Sequence, residues 1–200
     1  GGDNPGFENT LLGGDQDDVI RGGTGRNVVQ AGPGNDQITA GPGDDLIQGE
    51  LGNDVIQAGA GNSTIEGGFD DDVIYWTIGD GAITASGGGG VDLIGLAGDP
   101  EADDAFILAP DNGAVRVLGP GAPGPVISLV DDVEYFSVDG LGGADQTLVN
   151  LLEGTDVLRV AVNPSDNLAR DFLEDLILLW ASTAPDQLVV EQLEVDIEVI

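Results

Sequence analysis

The chain contains no cysteine, histidine, lysine or methionine, and its five basic residues are all arginine. Without cysteine or histidine it cannot form disulfides, thiolate or imidazole metal sites, Ser-His-Asp triads or Cys-His dyads. Aromatic residues make up only 4% of the chain, so the large side chains that anchor most hydrophobic cores are scarce. These absences exclude many catalytic sites and leave oxygen atoms as the available metal ligands.

Acidic residues dominate the charge: 37 Asp and Glu give a net charge of -32. Nucleic acids and anionic membrane surfaces are recognised through basic patches, so we expect neither partner. No apolar run reaches the roughly 18 residues of a membrane span. Such an excess of carboxylates requires cations to offset its self-repulsion. Carboxylate, amide and carbonyl oxygens are calcium ligands, so calcium is favoured over a transition metal.

A nine-residue period runs without a gap from Gly13 to Tyr75. The consecutive copies read GGDQDDVIR, GGTGRNVVQ, AGPGNDQIT, AGPGDDLIQ, GELGNDVIQ, AGAGNSTIE and GGFDDDVIY. A lead-in from Asn4 keeps the same frame, and a further copy, GGGGVDLIG, occupies Gly87 to Gly95 after an irregular stretch. A disordered acidic linker is the alternative, but a linker has no reason to repeat an aliphatic residue every nine positions.

Each position of the repeat has a physical role. Glycine at positions one, two and four permits positive φ angles and a tight loop. Position six supplies a carboxylate, and position eight is the inward residue of a short strand, so two copies complete one coil. Stacked coils lie about 4.8 Å apart, so neighbouring aspartates repel by roughly 3 to 4 kcal/mol at an effective dielectric of 20. The predicted inward column is Ile20, Val29, Ile38, Ile47, Ile56, Ile65 and Ile74.

The pattern resembles the GGxGxDxUx nonapeptide of the RTX (hemolysin-type calcium-binding) family of secreted bacterial proteins. The resemblance covers residues 4–95. It implies an all-β fold in which a parallel β-roll, a calcium-binding β-helix, precedes a β-rich segment. It also implies that several Ca²⁺ ions bind and that the protein is secreted.

The loops of alternate copies lie on two edges of the predicted roll. One edge presents Asp18, Asp36, Asp54 and Asp72, and the other presents Asn9, Asn27, Asp45 and Ser63. Calcium affinity follows ligand charge, so the first edge is expected to bind more tightly. The predicted metal ligands are Asp18, Asn27, Asp36, Asp45, Asp54, Asp72 and Asp92, together with the loop glycines Gly32, Gly34, Gly43 and Gly52.

Three regions are predicted along the chain. Residues 1–95 form the roll, with an irregular insert at 76–86, and residues 96–163 form a β-rich continuation of short apolar runs. Within the continuation, GLGGADQTL at Gly140 to Leu148 resembles a degenerate calcium loop. Spacing alone leaves open whether these strands extend the roll or form a separate sandwich.

The third region, residues 164–200, is predicted to contain one C-terminal helix and a strand. Ser165 or Asp166 would cap the helix. Its apolar face would hold Leu168, Phe172, Leu176, Leu179 and Trp180. A packed amphipathic helix, an uncleaved type I secretion signal and part of a truncated domain are the alternatives.

Three functions fit these features. The first is an extracellular module that folds on Ca²⁺ after type I secretion, since weak sites suit millimolar extracellular calcium. The second is a spacer or adhesive segment of a large cell-surface protein, bridging to anionic polysaccharide or surface matrix through shared Ca²⁺. The third is an accessory module of a secreted polysaccharide-active enzyme or protease. The chain itself is expected not to be an enzyme, because the acidic residues are mostly accounted for by the calcium loops.

Overall fold

The computed structural model describes residues 8–119, 125–141, 145–150, 159–163, 176–179 and 196–199, which form β-strands and connecting loops without an α-helix. The strands are β1 (Asn9–Leu12), β2 (Val19–Arg21), β3 (Asn27–Pro33), β4 (Gln37–Thr39), β5 (Leu46–Leu51), β6 (Val55–Gln57), β7 (Ser63–Phe69), β8 (Val73–Thr77), β9 (Ile83–Gly89), β10 (Leu93–Ala97), β11 (Ala105–Asp111), β12 (Ala114–Leu118), β13 (Pro125–Asp131), β14 (Tyr135–Asp139), β15 (Gln146–Val149), β16 (Arg159–Asn163), β17 (Leu176–Leu179) and β18 (Asp196–Val199).

The strands form two sheets, and successive strands of the repeat region alternate between them. The first sheet has the order β1-β3-β5-β7-β9-β13-β12-β11-β15-β17-β18, and the second has the order β16-β14-β10-β8-β6-β4-β2. Strands from neighbouring coils pair in parallel, with Ile38 aligned to Ile20 and to Ile56. This arrangement is the predicted parallel β-roll.

The core is a thin layer between the sheets. All members of the predicted inward column are buried: Ile20, Val29, Ile38, Ile47, Ile56, Ile65 and Ile74. Position one adds a second buried column where it is alanine, at Ala31, Ala40 and Ala58. Flanking positions seven and nine face outward, as Val19 and Tyr75 show. In the repeat copies from Gly13 to Tyr75, the alternation of inward and outward side chains along short strands therefore fills the interior with Ile, Val and Ala.

The irregular stretch at 76–86 lies within the roll. Ile83 of β9 aligns with Ser63 of β7, so this coil is two residues longer than the regular coil of 18. Trp76 is buried, and its indole Nε1 donates to the carbonyl oxygen of Gly81 at 2.9 Å. The extra residues therefore form a turn that an aromatic side chain supports, and the nine-residue spacing resumes between Ala85 of β9 and Ile94 of β10.

The strands after residue 95 join the same two sheets. In the second sheet β10, which spans the predicted boundary, pairs in parallel with β14, and β14 pairs with β16. In the first sheet an antiparallel unit of β11, β12 and β13 is inserted, with β13 parallel to β9. Its first turn is Asn112-Gly113, where both residues have positive φ (55° and 96°). Asn-Gly is a preferred pair for such hairpins. Of the two alternatives, the structure shows the extended roll.

The structure corrects the helix prediction at Leu176–Leu179, which form strand β17 and pair with β15. A short apolar run fits a strand or a helix equally well by pattern, and pairing with an existing sheet edge decides the outcome. Ser165, Asp166, Leu168, Phe172 and Trp180 lie outside the described residues. Within the described ranges, no helix is long and apolar enough to span a membrane.

Candidate metal sites

One edge of the roll carries a continuous ladder of aspartates, here called the Asp ladder: Asp18, Asp36, Asp54, Asp72 and Asp92. The backbone N–H of each residue donates to Oδ1 of the next, at 2.7 Å for Asp36 to Asp54 and 2.8 Å for Asp54 to Asp72. The remaining steps have the same geometry. The four predicted ligands of this edge and the predicted ligand Asp92 are therefore brought into one column, each immediately before a strand of the second sheet.

The second carboxylate oxygen of the inner ladder residues has no hydrogen-bond partner. This holds for Oδ2 of Asp36, Asp54, Asp72 and Asp92. Each of these residues is only 1% exposed. A buried carboxylate oxygen without a donor is costly unless a cation or a proton compensates it.

Backbone carbonyl oxygens converge on the same places. A Cβ added at Gly49 would contact both Asp54 Oδ2 and the carbonyl oxygen of Gly67, and a Cβ at Gly67 would contact Asp72 Oδ2 and the carbonyl oxygen of Gly87. The first glycine of the repeat therefore leaves a space bordered by two oxygen acceptors. Carboxylate and carbonyl oxygens are the mixture that Ca²⁺ prefers, so the donor set fits calcium.

Burial raises the pKa of these carboxyl groups. Desolvation is the main cause at Asp54, whose pKa rises from 3.8 to about 6, and at Asp72, whose pKa rises to about 7; neighbouring carboxylates add to both. The backbone N–H donor from the preceding coil opposes the rise without cancelling it. The pKa values of Asp36 and Asp92 are raised for the same main reason. Without a cation, stacking of the loops therefore disfavours the charged carboxylates, although these groups are mostly charged above neutral pH.

The opposite edge is different. Asn27 is fully buried, and its Nδ2 lies 2.7 Å from the carbonyl oxygen of Gly25, 3.0 Å from that of Ala40 and 3.0 Å from Asp45 Oδ1. A Cβ at Gly22 would contact this Nδ2 and the Ala40 oxygen. In this loop the Asn27 amide nitrogen thus occupies the place that an Asp Oδ2 takes on the first edge. It donates a hydrogen bond to the carbonyl oxygen of Ala40.

Only Asp45 carries a charge in the column Asn9, Asn27, Asp45 and Ser63. Its Oδ2 has no partner, and its backbone N–H donates to Ser63 Oγ at 3.2 Å. The next residue in register is Ile83, which ends the column. Arg26 forms an ion pair with Glu8 on this edge. The two edges are therefore unequal in charge, as the sequence indicated. The role of Asn27 as a calcium ligand stays a prediction, and the hydrogen bonds that its Nδ2 donates disfavour that role.

The predicted loop glycines have the conformations that the repeat requires. Gly32, Gly34, Gly43 and Gly52 all have positive φ, between 101° and 153°. At Gly34 a Cβ would lie 2.6 Å from the backbone of Gln16 in the preceding coil, and at Gly43 it would lie 2.6 Å from the carbonyl oxygen of Gly25. These glycines therefore allow the loops to stack closely. Direct ligation by their carbonyl oxygens stays a prediction.

Side chains at position five of the repeat form a second ladder of hydrogen bonds, which the sequence did not predict. The N–H of Asn35 donates to Asp17 Oδ1 at 2.8 Å, that of Asn53 to Asn35 Oδ1 at 2.8 Å, and that of Asp71 to Asn53 Oδ1 at 3.0 Å. These side chains are exposed and bond in the direction opposite to the Asp ladder. The signal was the run of Asp and Asn immediately before position six. Such side chains commonly cap free backbone N–H groups of loops.

Two buried aspartates of the continuation, Asp104 and Asp145, form a similar backbone-to-carboxylate contact that the sequence did not predict, although Asp104 Oδ2 also accepts the N–H of Asp99. The N–H of Asp104 donates to Asp145 Oδ1 at 2.9 Å, across 41 residues of sequence. A Cβ at Gly98 would contact Asp104 Oδ2 and the carbonyl oxygen of Gly140. Asp145 lies in the loop at Gly140 to Leu148, and the resemblance of that segment to a degenerate calcium loop indicated where Asp145 would lie.

The family model of the RTX calcium-binding nonapeptide repeat (4 copies) matches residues 12–47 and 48–83. Residues 12–83 are RTX calcium-binding nonapeptide repeats. No curated protein matches the chain significantly. The described residues contain no cluster of three or more metal-ligating side chains. The inner loops of the Asp ladder each offer one buried carboxylate beside backbone oxygens, so a count of metal-ligating side chains alone does not reveal these places.

Proposed function

We propose that this chain is an extracellular module that is unfolded in low calcium and folds when Ca²⁺ binds, after export through type I secretion. The observation that carries the proposal is the column of four buried Asp Oδ2 atoms without a donor. Folding brings these atoms together, and in the unfolded chain each carboxylate is solvated. Calcium binding to the folded loops therefore adds directly to the free energy of folding.

The extracellular location rests on the calcium concentration that such loops need. Each loop offers few charged ligands, and sites of low ligand charge bind calcium weakly, in the range that suits extracellular modules. RTX repeats support export from a bacterial cell, where cytosolic calcium is low and the chain would stay unfolded. The calcium-loaded surface would remain strongly acidic, and shared Ca²⁺ would let it bridge to anionic polysaccharide or surface matrix.

Calcium titration monitored by far-ultraviolet circular dichroism tests the proposal. In chelator the chain should be largely disordered, and it should gain β-structure cooperatively in millimolar calcium. Magnesium is the matched control, because it demands octahedral geometry and loses water reluctantly, so it should substitute poorly. An unchanged spectrum between chelator and calcium would refute calcium-driven folding.

The same proposal gives the segment no catalytic role. The chain has no histidine, cysteine or lysine, and the buried carboxylates of the repeat loops are hydrogen-bonded to neighbouring loops. Incubating the purified chain in calcium with polysaccharides, esters and peptides should give no turnover. Activity that survived repurification and was lost on changing one carboxylate outside the repeat loops would overturn this expectation.

A further inference from the structure

The Asp ladder does not end with the RTX repeats. Beyond Asp92 the next position is taken by Glu134, whose Oε2 accepts the N–H of Asp92 at 2.8 Å. The N–H of Tyr135 in turn donates to the Asp92 carbonyl oxygen at 3.0 Å. The same two kinds of hydrogen bond join Asp54 to the coil of Asp72, 18 residues away. Here they join residues that are 42 apart in sequence. Glu134 thus continues the ladder from a segment with no repeat pattern.

The loop before Glu134 is shorter than a repeat loop and contains no glycine. Asp131 aligns with Ser86, so Asp132 lies opposite Gly87, the first residue of the last repeat copy. Gly87 is five residues before Asp92, whereas Asp132 is only two residues before Glu134. Asp132 has a φ of 49°, a left-handed conformation that Asp adopts more readily than most residues, and this turn brings Glu134 to Asp92.

Oxygen atoms converge here as they do inside the repeats. Asp92 Oδ2 has no hydrogen-bond partner, and the residue is 1% exposed. A Cβ at Gly87 would contact both Asp92 Oδ2 and the carbonyl oxygen of Asp132. The carbonyl oxygen of Asp132 therefore occupies the place that the Gly67 oxygen takes beside Asp54. The buried Asp92 Oδ2 and the Asp132 carbonyl oxygen therefore border the same space, and neither atom can donate a hydrogen bond to the other.

We propose that the loops 87–92 and 131–134 hold a further calcium ion beyond the matched repeats, with Asp92, Glu134 and the carbonyl oxygen of Asp132 as its ligands. The proposal rests on the proposed function, since it assigns to these loops the ion that the repeat loops bind. The site joins the last repeat to β14, so calcium bound there stabilises the β-rich continuation as well as the roll. Its ligands are all oxygen, which favours calcium over a transition metal.

Two substitutions test the site. Asp92→Asn should retain the fold, because an amide already fits the equivalent place at Asn27, and Glu134→Gln keeps an acceptor for the Asp92 N–H while removing the charge. Each variant should bind one calcium ion fewer than the unaltered chain, measured by isothermal titration and native mass spectrometry. Glu101→Gln removes one charge from an exposed residue and is the matched control. It should leave the ion count unchanged.

The outcomes separate this site from the repeat sites when Asp54→Asn is measured in parallel. Loss of an ion in Asp54→Asn but in neither Asp92→Asn nor Glu134→Gln would overturn the further site and leave the proposed function intact. An unaltered chain that binds no calcium would overturn both. If Asp92→Asn fails to fold in calcium, Glu134→Gln decides: an unchanged ion count overturns the site, and loss of one ion supports it.

Discussion

In Asp54→Asn an amide replaces a buried carboxylate at the centre of the Asp ladder, and its effect on stability should reverse sign between chelator and calcium. Without calcium, Asp54 is desolvated and faces the carbonyl oxygen of Gly67 without a donor. The amide would keep an acceptor for the N–H of Asp36 and donate to that carbonyl oxygen, as Asn27 Nδ2 does to Ala40. With calcium, the same change removes a charged ligand.

The raised pKa sets the size of the calcium-free effect. A rise from 3.8 to about 6 at Asp54 corresponds to an upper bound of about 3 kcal/mol of lost stability above neutral pH. Solvent near the loop edge screens this charge, so the amide should stabilise the calcium-free roll by about 1 to 2 kcal/mol. In calcium, the loss of a ligand should raise the calcium midpoint on the order of tenfold.

Urea unfolding followed by circular dichroism measures both effects. The chelator arm should contain a stabilising osmolyte, so that a folded baseline exists for the free energy of unfolding. Asp71→Asn is the matched control, because Asp71 is exposed and Asn53 already makes the same position-five hydrogen bond. The reasoning would be refuted if Asp54→Asn destabilised the chain equally with and without calcium, or if Asp71→Asn matched it in both arms.

Three further outcomes are expected. Asn27→Asp should add one calcium ion per chain by isothermal titration, because it restores the carboxylate that the other edge carries; an unchanged ion count would contradict this. In chelator, the β-structure measured by circular dichroism should increase as pH falls from about 7.5 towards 5. The folded state raises the pKa of Asp54 to about 6 and that of Asp72 to about 7. The folded chain is therefore more stable at low pH, and this stability is lost as the pH rises through these two pKa values. In calcium the dependence should weaken or reverse, since protons compete with the ion. Gly52→Ala should destabilise the calcium-loaded roll by about 2 kcal/mol or more, because Gly52 has a φ of 112° and its Cβ would strike the Gly34 backbone. Gly89→Ala, whose Cβ would meet only the Phe69 ring at 3.6 Å, should change the urea midpoint little.

Much of the repeat region could be predicted from spacing. The nine-residue frame identified the inward Ile and Val column and the ladder Asp18 to Asp72, and the structure confirms both placements. Spacing succeeds here because each coil contacts only its neighbours, so a residue nine or 18 positions away is also the nearest in space.

The contacts of individual polar atoms could not be predicted in the same way. The sequence placed Asn27 among the weak ligands, and only the structure shows its Nδ2 within reach of several oxygen acceptors. The position-five ladder was missed for a related reason. Its composition is ordinary for a loop, and its hydrogen bonds exist only once two coils are stacked.

The sequence by itself determined the local geometry of the roll: the nine-residue period, the aliphatic inward position, the turning glycines and the unequal charge of the two edges. Tertiary structure alone decided where that regularity continues. Glu134 lies beside Asp92 because an antiparallel hairpin unit occupies the intervening chain and β14 then pairs with β10. Leu176–Leu179 form a strand because β15 offers them a sheet edge. Both outcomes depend on contacts between distant segments, and no local period encodes such contacts.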